Sequence, residues 1–502
     1  MDALTMEPVP LKERITTIDI IRAFALFGVV IANFTVDNRG VSPGEGRTGF
    51  FDQLAYWPIR FVIDDKAMAT YCFLFGLGFS IQMLRAETKH TPFVFMQMRR
   101  LIVLFIIGII ALILTNETIP HEYAMVGVLL LLLYKIPGKF LPALAFLCFL
   151  IPSTRDLLNA EKTAKIINDN TEIVLDRSKF DACIGVYERE PGKFIVITRK
   201  GSKAFTQSRG GVDRLVPWSA TEFVREGTID KWVFLKDTTG TINRIVIHRA
   251  KGDPILFKKI PMDVQKAQKE LNTLSTGTSN VGSCKQFITN NAIRIWTRFK
   301  NWSWGDFFWG EDISGILSYF LIGLYAGRRR IFFHIEGSSA FLKKVIWVGF
   351  IIGVTGTSIN LGFEAWSVIK GFNWGAYPMA TRVLLNKIWE LGVMATTFAY
   401  VAGFTLLLEN ADLKKRLSFL GPVGRMGLTN YILQTIPYVL LFEQFGLALS
   451  GKIGCFYRLL LALPVYAALI FLSRWWFKHF RMGPLEWLWR SLTYLKFQPM
   501  RL

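Results

Sequence analysis

Apolar runs long enough to cross a lipid bilayer recur along this chain, and they constrain its fold more than any other feature. A spanning helix needs about 20 mostly apolar residues. Ten stretches are candidates, at 17–36, 66–84, 101–115, 121–134, 140–153, 313–327, 345–362, 388–408, 427–447 and 455–473. The third to fifth are short, as in tilted or partly buried pairs. Hydrophobic residues make up 51% of the 502, and charged residues only 19%. That balance excludes a disordered, collagen-like or disulfide-scaffold chain and argues against a purely soluble one. The expected fold is an all-α polytopic membrane bundle of about ten transmembrane helices with an inserted small antiparallel β domain. Its expected parts are an N-terminal membrane domain over 1–155, an insert over 156–300, and a C-terminal membrane domain with a tail over 301–502.

The formal net charge is +21. In a soluble chain this would suggest nucleic acid. Between spans it reads as basic cytoplasmic loops, so a lipid bilayer is the expected partner and nucleic acid is not. Threading the ten runs across a bilayer puts 23 Lys and Arg on one side and 7 in the short segments on the other. The bias orients both termini into the cytoplasm and the insert out of it. No small-residue cleavage site follows the first run, which reads as an uncleaved span. Trp302, Trp304, Phe307, Phe308 and Trp309 read as an aromatic belt before the sixth run. Cys72, Cys148 and Cys455 lie in apolar runs and read as small core residues. Cys183 and Cys284 fall in the polar middle, and sequence leaves open whether they pair.

The insert changes period at about 176–260. Cys183 to Tyr187, Phe194 to Thr198, Lys231 to Leu235 and Ile242 to His248 are short β-rich runs. Pro191-Gly192, Gly210-Gly211 and Asp237 to Gly240 separate them as turns, which predicts a small antiparallel sheet or barrel. Flanking segments, Glu161 to Glu172 and 262–274, read as helical. The pattern Gly185-Val186-Tyr187, Phe194 to Arg199, Phe223, Phe234 and Gly240-x-Ile242-x-x-Ile245-x-Ile247-His248 resembles the lipocalin-like β domain that follows serine β-lactamase-like and peptidase domains. The resemblance implies a binding or capping role. His248 reads as solvent-facing or internally satisfied.

Ionisable groups inside spans are costly and are functional candidates by default. Asp19 and Arg22 share one face of the first run, as an ion pair or as a site facing a cavity. Asn33 lies eleven residues beyond Arg22 and reads as an interhelical amide. Asp64-Asp65-Lys66 opens the second run, where Lys66 snorkels or pairs with an acid. The glycines of Phe75-Gly76-Leu77-Gly78-Phe79 favour close helix contact over ligand approach. His121 sits in the hairpin Glu117-Thr118-Ile119-Pro120-His121-Glu122-Tyr123. It is a candidate general base oriented by Glu122, or a polar interfacial cap. Thr429, Asn430 and Gln434 set a polar ladder on the ninth run, and Glu390 and Glu443 lie in or near the eighth and ninth. Gly483 to Arg490 reads as an amphipathic segment on the inner leaflet.

Arg425-Met-Gly-Leu-Thr-Asn-Tyr431 with Gln434, and Gly483-Pro-Leu-Glu-Trp-Leu-Trp-Arg490 with Leu492-Thr493-Tyr494, resemble the YeiB-like bacterial membrane proteins. Asp19-x-x-Arg22-Ala23-Phe24-Ala25-Leu26-Phe27-Gly28, Asn33, Lys66, Leu74 to Phe79 and Tyr123-Ala124 agree. Ala23 replaces a usual Gly, Thr118 stands where Asp is common, and the β insert departs from the usual layout. The resemblance implies the bacterial cytoplasmic membrane, and its C-terminal half is a domain of unknown function. More distantly, Asp19-x-x-Arg22 with Asn33 is similar to transmembrane acyltransferases, which are thought to carry acyl groups from cytosolic donors to sugars or lipids on the far side. In the lysosomal glucosaminide acetyltransferase a His follows that Asn in the first outer loop. Residues 34–65 hold no His here, which leaves His121 for the role.

The first functional expectation is acyl transfer from acetyl-CoA or another acyl-CoA to an envelope glycan or lipid. His121 and Glu122 would be catalytic, and Asp19, Arg22, Asn33, Lys66, Asn430 and Gln434 substrate-binding, with no metal site assigned. A small-solute transporter and a non-catalytic envelope sensor with a ligand-binding β domain are the alternatives.

Overall fold

A computed structural model of the chain describes residues 16–35, 49–88, 93–116, 119–168, 180–190, 193–201, 203–208, 211–219, 221–225, 230–248, 254–274, 283–300, 311–333, 335–369, 379–443, 445–450 and 452–502. The proposed aromatic belt at 302–309 and Thr118 lie outside them. The first half builds helices α1 (Thr16–Thr35), α2 (Phe50–Val62), α3 (Lys66–Thr88), α4 (Phe93–Thr115), α5 (Pro120–Leu133) and α6 (Leu141–Asn168). A tight turn joins α2 to α3, and Asp65 takes positive φ in it, a conformation that Asp tolerates better than most residues. Pro120 opens α5, where its missing N–H has no helical partner to lose.

Eight strands follow: β1 (Gly185–Glu190), β2 (Lys193–Lys200), β3 (Lys203–Ser208), β4 (Gly211–Pro217), β5 (Glu222–Arg225), β6 (Lys231–Lys236), β7 (Ile242–His248) and β8 (Ile255–Ile260). Each pairs antiparallel with the next, and β8 returns to β1 through Val186↔Ile260 and Glu188↔Lys258, which closes a barrel without free edges. Alternation along the strands sends Tyr187, Phe223, Phe234 and Ile245 inward, where the aromatic rings meet edge to face. Helix α7 (Val264–Leu274) covers an outer patch of Val186, Phe194 and Val196 with Ala267 and Leu271. Asp237 ties the β6–β7 turn by accepting from the amides of Thr239 and Thr241 and from the Thr239 hydroxyl. The Thr239 hydroxyl, more than any other group, holds its carboxyl below the ordinary range. Cys183 is buried and Cys284 is exposed, and they are not joined by a disulfide.

The second half comprises α8 (Cys284–Lys300), α9 (Glu311–Arg328), α10 (Ile335–Ile369), α11 (Met379–Leu407), α12 (Ala411–Leu417), α13 (Gly421–Arg425), α14 (Gly427–Leu433), α15 (Thr435–Phe442), α16 (Cys455–Trp476) and α17 (Pro484–Tyr494). Among the described residues, six helical stretches are long and apolar enough to cross a membrane: Thr16–Thr35, Phe50–Thr88, Phe93–Thr115, Ile335–Trp366, Ala380–Leu407 and Cys455–Trp476. Pro120–Leu133, Gly138–Ile151 and Ile313–Arg328 are apolar but shorter. The run at 427–447 is no single helix. The chain breaks just before it at Met426 and within it at Gln434, in a sequence weakened as a helix by Gly421, Pro422, Gly424, Gly427 and Pro437.

Large apolar side chains face outward from the bundle. Ile102, Ile106, Ile110 and Leu114 make a stripe along α4, and Trp347, Phe350 and Ile351 another on α10. A soluble domain does not leave such stripes in water, whereas lipid solvates them. Inside, α3 and α9 meet backbone to backbone. A Cβ on Gly76 would stand 2.1 Å from the Phe320 carbonyl oxygen, and one on Gly323 would stand 2.2 Å from that of Phe73. Gly76 therefore serves helix contact, as its spacing suggested. Gly78 looks the other way, toward the Arg22 guanidinium.

A valine at Gly323 has to push α9 off α3. Gly323→Val should lower the thermal midpoint of the detergent-solubilised protein markedly, a few kcal/mol being typical of overpacking, while Gly78→Ala should leave it within error. Equal midpoints for Gly323→Val and the parent would contradict this packing.

Candidate functional site

The broken helix creates the site. Asn430 donates through its amide nitrogen to the Val423 carbonyl at 3.1 Å and to Ser473 Oγ at 2.8 Å, holding α14 to α13 and α16. Glu486 of α17 then accepts from the free N-terminal amides of α14, Leu428 at 2.8 Å and Thr429 at 3.1 Å, and from the Thr429 hydroxyl. The Leu485 amide donates back to Thr429 Oγ1 at 3.1 Å. Two segments 57 residues apart thus lock together as a helix cap built in trans. Burial pushes the Glu486 carboxyl above its ordinary range, against the pull of these donors. One turn further along α17, Trp489 Nε1 donates to the Arg100 carbonyl at 2.8 Å, and the Arg100 guanidinium lies 4.3 Å over the same indole. Helix α13 meets α1 at Gly424, where a Cβ would stand 1.8 Å from the Asp19 carbonyl oxygen.

Between these elements lies a cavity of about 370 Å³. Six arginines line it: Arg22, Arg85, Arg100, Arg425, Arg481 and Arg490. Among the described residues Asp19 and Glu486 are the carboxylates on its wall, so these eight groups sum to a formal charge of about +4. Leu74, Phe75, Leu104, Tyr123 and Tyr431 make it apolar elsewhere. Tyr71 and Arg85 of α3 both border it, and fourteen residues of helix rise about 21 Å. It therefore runs from the arginine-rich end of the bundle toward the start of α5. Guanidinium groups crowded in a low-dielectric wall select an anion with several oxygens, which they bind by paired hydrogen bonds.

Asp19 and Arg22 line this cavity and also pair at 3.0 Å, so the two readings of that motif hold together. The other singled-out residues lie elsewhere. Asn33 is half-buried, eleven residues and about 16 Å along α1 from Arg22. His121 is 6% exposed, with its backbone against Gly108 of α4 and its Nε2 3.9 Å from Glu122 Oε1. Its neighbours Pro120 and Tyr123 border the cavity; His121 and Glu122 do not. Asn430 is spent on helix packing. Gln434 is buried at the break between α14 and α15, outside the cavity. Glu443 is buried at the end of α15, and Glu390 pairs with Lys387.

Lys66 belongs to a second charged cluster at the opposite end of the bundle. Its Nζ donates to the Arg60 carbonyl at 2.9 Å and lies 4.3 Å over the Trp389 ring. Arg60 pairs with Asp64 and, at 3.2 Å, with Glu364, which also accepts from Tyr56 Oη at 2.7 Å. Asp65 accepts from Trp389 Nε1 at 2.9 Å. No cluster of metal-ligating side chains occurs among the described residues.

Sequence reasoning missed most of the cavity's arginines and Gln97. Arg85 and Arg100 counted there only as basic loop residues. The signal available was their spacing: both stand within a turn or two of an apolar run, close enough to point back into the bundle.

Fold and site define a polytopic helical membrane protein with an inserted β-barrel and an arginine-lined cavity. Residues 326–496 match the family described as "Protein of unknown function (DUF418)". The chain is 24% identical over 507 residues to the uncharacterized protein YxaH of Bacillus subtilis (strain 168), covering 99% of this chain and 98% of that one. It is 37% identical over 150 residues to the uncharacterized protein YeiB of Escherichia coli (strain K12), covering 29% of this chain and 36% of that one. An uncharacterized 39.9 kDa protein in the amylase 3′ region of Bacillus acidopullulyticus is 33% identical over 185 residues, 36% of this chain and 53% of that one. No solved structure matches. The match over 326–496 and the likeness to YxaH and YeiB support a YeiB-like family for this chain. The matched segment supplies one wall of the cavity, Gly424 to Tyr431 and Phe477 to Tyr494, and α1, α3, α4 and α5 supply the other.

The lock predicts a specific weakness. Thr429→Val removes the hydroxyl and should lower the thermal midpoint by an amount corresponding to about 1–3 kcal/mol. Adding Glu486→Gln should then cost less than it does in the parent, because the two groups share one bond. Full additivity in the four-protein cycle would contradict the lock.

Proposed function

We propose that this chain spans the bacterial cytoplasmic membrane ten times, with both termini in the cytoplasm and the barrel outside. We further propose that it transfers an acyl group from a cytosolic thioester such as acetyl-CoA to an envelope glycan or lipid. Six helices are of spanning length; if the three shorter apolar ones and the broken α13–α15 segment cross as well, the total is ten, an even number that returns the chain to its starting side. The arginine-rich end then faces the cytoplasm, in keeping with the positive-inside rule.

The observation that carries the reading is the cavity. Its guanidinium groups suit the phosphates of a coenzyme A thioester, and its apolar depth suits a slender arm that brings the acyl end toward Tyr123 and α5. In the reaction an acceptor oxygen attacks the thioester carbonyl carbon. A C–O bond forms, the C–S bond breaks, and the thiolate leaves to be protonated. The acceptor proton goes to a general base at the α5 end of the cavity, and His121 beside Glu122 is our candidate, which requires its ring to turn from its buried position behind Pro120 and Tyr123. The charged cluster around Lys66 borders the acceptor's side, where Asn33 also lies.

Purified full-length protein should bind labelled acetyl-CoA. Arg85→Gln combined with Arg490→Gln should weaken binding by tenfold or more, since hydrogen bonds to charged groups contribute about 1.5–3 kcal/mol each. His121→Gln should leave binding intact and reduce transfer to an envelope acceptor by about a hundredfold. No binding by the parent, or binding indifferent to both arginines, would overturn the donor site. Concentrative solute uptake by proteoliposomes, with no transfer, would favour a permease.

A further inference from the structure

One group on the cavity wall asks for something that phosphates do not supply. Gln97 of α4 is 2% exposed and lines the cavity one turn before Arg100. Its carboxamide oxygen is enclosed and accepts no hydrogen bond from any described residue. An enclosed acceptor in a low-dielectric site is met by water or by a ligand donor. A ligand that displaces such a water gains only if it reproduces the hydrogen bond. Phosphate and carboxylate oxygens at neutral pH are acceptors, and a hydrocarbon or isoprenoid chain has neither donor nor acceptor.

We infer that Gln97 reads an N–H or O–H on the arm of the cavity ligand, and that the ligand is therefore a phosphorylated donor with an amide-bearing arm rather than an acyl phosphate or a polyprenyl phosphate. An amide suits the site best, because it presents a donor and an acceptor together and can pair with a carboxamide along both edges. The inference rests on the thioester-donor reading and goes beyond it by assigning selectivity for the arm to one residue. The arginines hold the anionic head regardless of its arm, and Gln97 accepts or rejects the arm itself.

The test separates arm from head with purified full-length protein and three probes: acetyl-CoA, adenosine 3′,5′-bisphosphate as the head alone, and pantetheine as the arm alone. Gln97→Met keeps the volume and deletes the acceptor. It should weaken acetyl-CoA about tenfold, the loss typical of one buried hydrogen bond, and leave the bisphosphate within twofold. Its thermal midpoint should stay close to the parent's, since the substitution removes a buried oxygen that accepts no hydrogen bond from any described residue. Independently of any variant, pantetheine at millimolar concentration should displace labelled acetyl-CoA from the parent. If the parent binds acetyl-CoA but Gln97→Met binds it equally well, the role of Gln97 is overturned and the donor site stands. Equal losses for acetyl-CoA and the bisphosphate would also overturn it, by making Gln97 part of the head site. If the parent binds none of the three, the donor reading itself fails.

Discussion

A single carboxylate decides whether this bundle has a site at all. Glu486 satisfies the open N-terminus of α14, and that contact seats α17 across the arginines of α1, α3 and α4. Without it a helix beginning inside the bundle would leave amide hydrogens unmet in a low-dielectric setting, a penalty of a few kcal/mol. The break in the chain at Met426 and the clamp from α17 are thus one device. The first frees backbone donors inside the bundle, and the second brings the acceptor from 57 residues away. Arg100, stacked on Trp489 of the same helix, fixes the far edge of the clamp.

Six guanidinium groups around one small volume repel one another, and two carboxylates offset only part of that charge. Such an arrangement persists in an apolar bundle when solvent or an anion reaches it. The cavity's position at the basic end of the helices and its apolar depth both direct attention to a bound anion with an elongated tail. The second charged cluster, around Arg60, Asp64, Glu364 and Lys66, is built differently. Its cations sit on an indole ring and its acids are already paired, so it organises the opposite end of α2 and α3.

Much of this was legible in the sequence, for reasons that differ by region. Hydrophobic run length placed α1, α3, α10, α11 and α16, because lipid imposes a length on whatever crosses it. Alternation placed β1, β2, β6 and β7. Strand β5 escaped because Glu222 to Arg225 is only four residues long, and β3, β4 and β8 because Lys203 to Ser208, Gly211 to Pro217 and Ile255 to Ile260 mix polar with apolar residues on both faces. The helices at 161–168 and 264–274 fell where their composition put them. The 427–447 run misled, since its average hydropathy conceals the two breaks that Gly427 and Gln434 mark. Asp19 and Arg22 were found because a charge inside an apolar run is conspicuous. Gln97 and Arg100 were not, because they precede such a run and become cavity walls only when α17 folds over them. Glu486 looked like one polar residue of an interfacial helix. Its role needs Thr429, which no local pattern links to it.

A bundle dissolved in lipid, with its arginine-lined cavity reached from the cytoplasm, is the central claim. Gln82 lines that cavity between Gly78 and Arg85, and a cysteine placed there reports the route directly. Sealed membrane vesicles of the two orientations, carrying Gln82→Cys, are treated with a membrane-impermeant thiol reagent and compared with the parent. Labelling of the new cysteine in inverted vesicles alone, slowed by added acetyl-CoA, is the predicted result. Labelling from the external face, with protection in inverted vesicles, would reverse the orientation and remove the cytosolic donor from the mechanism.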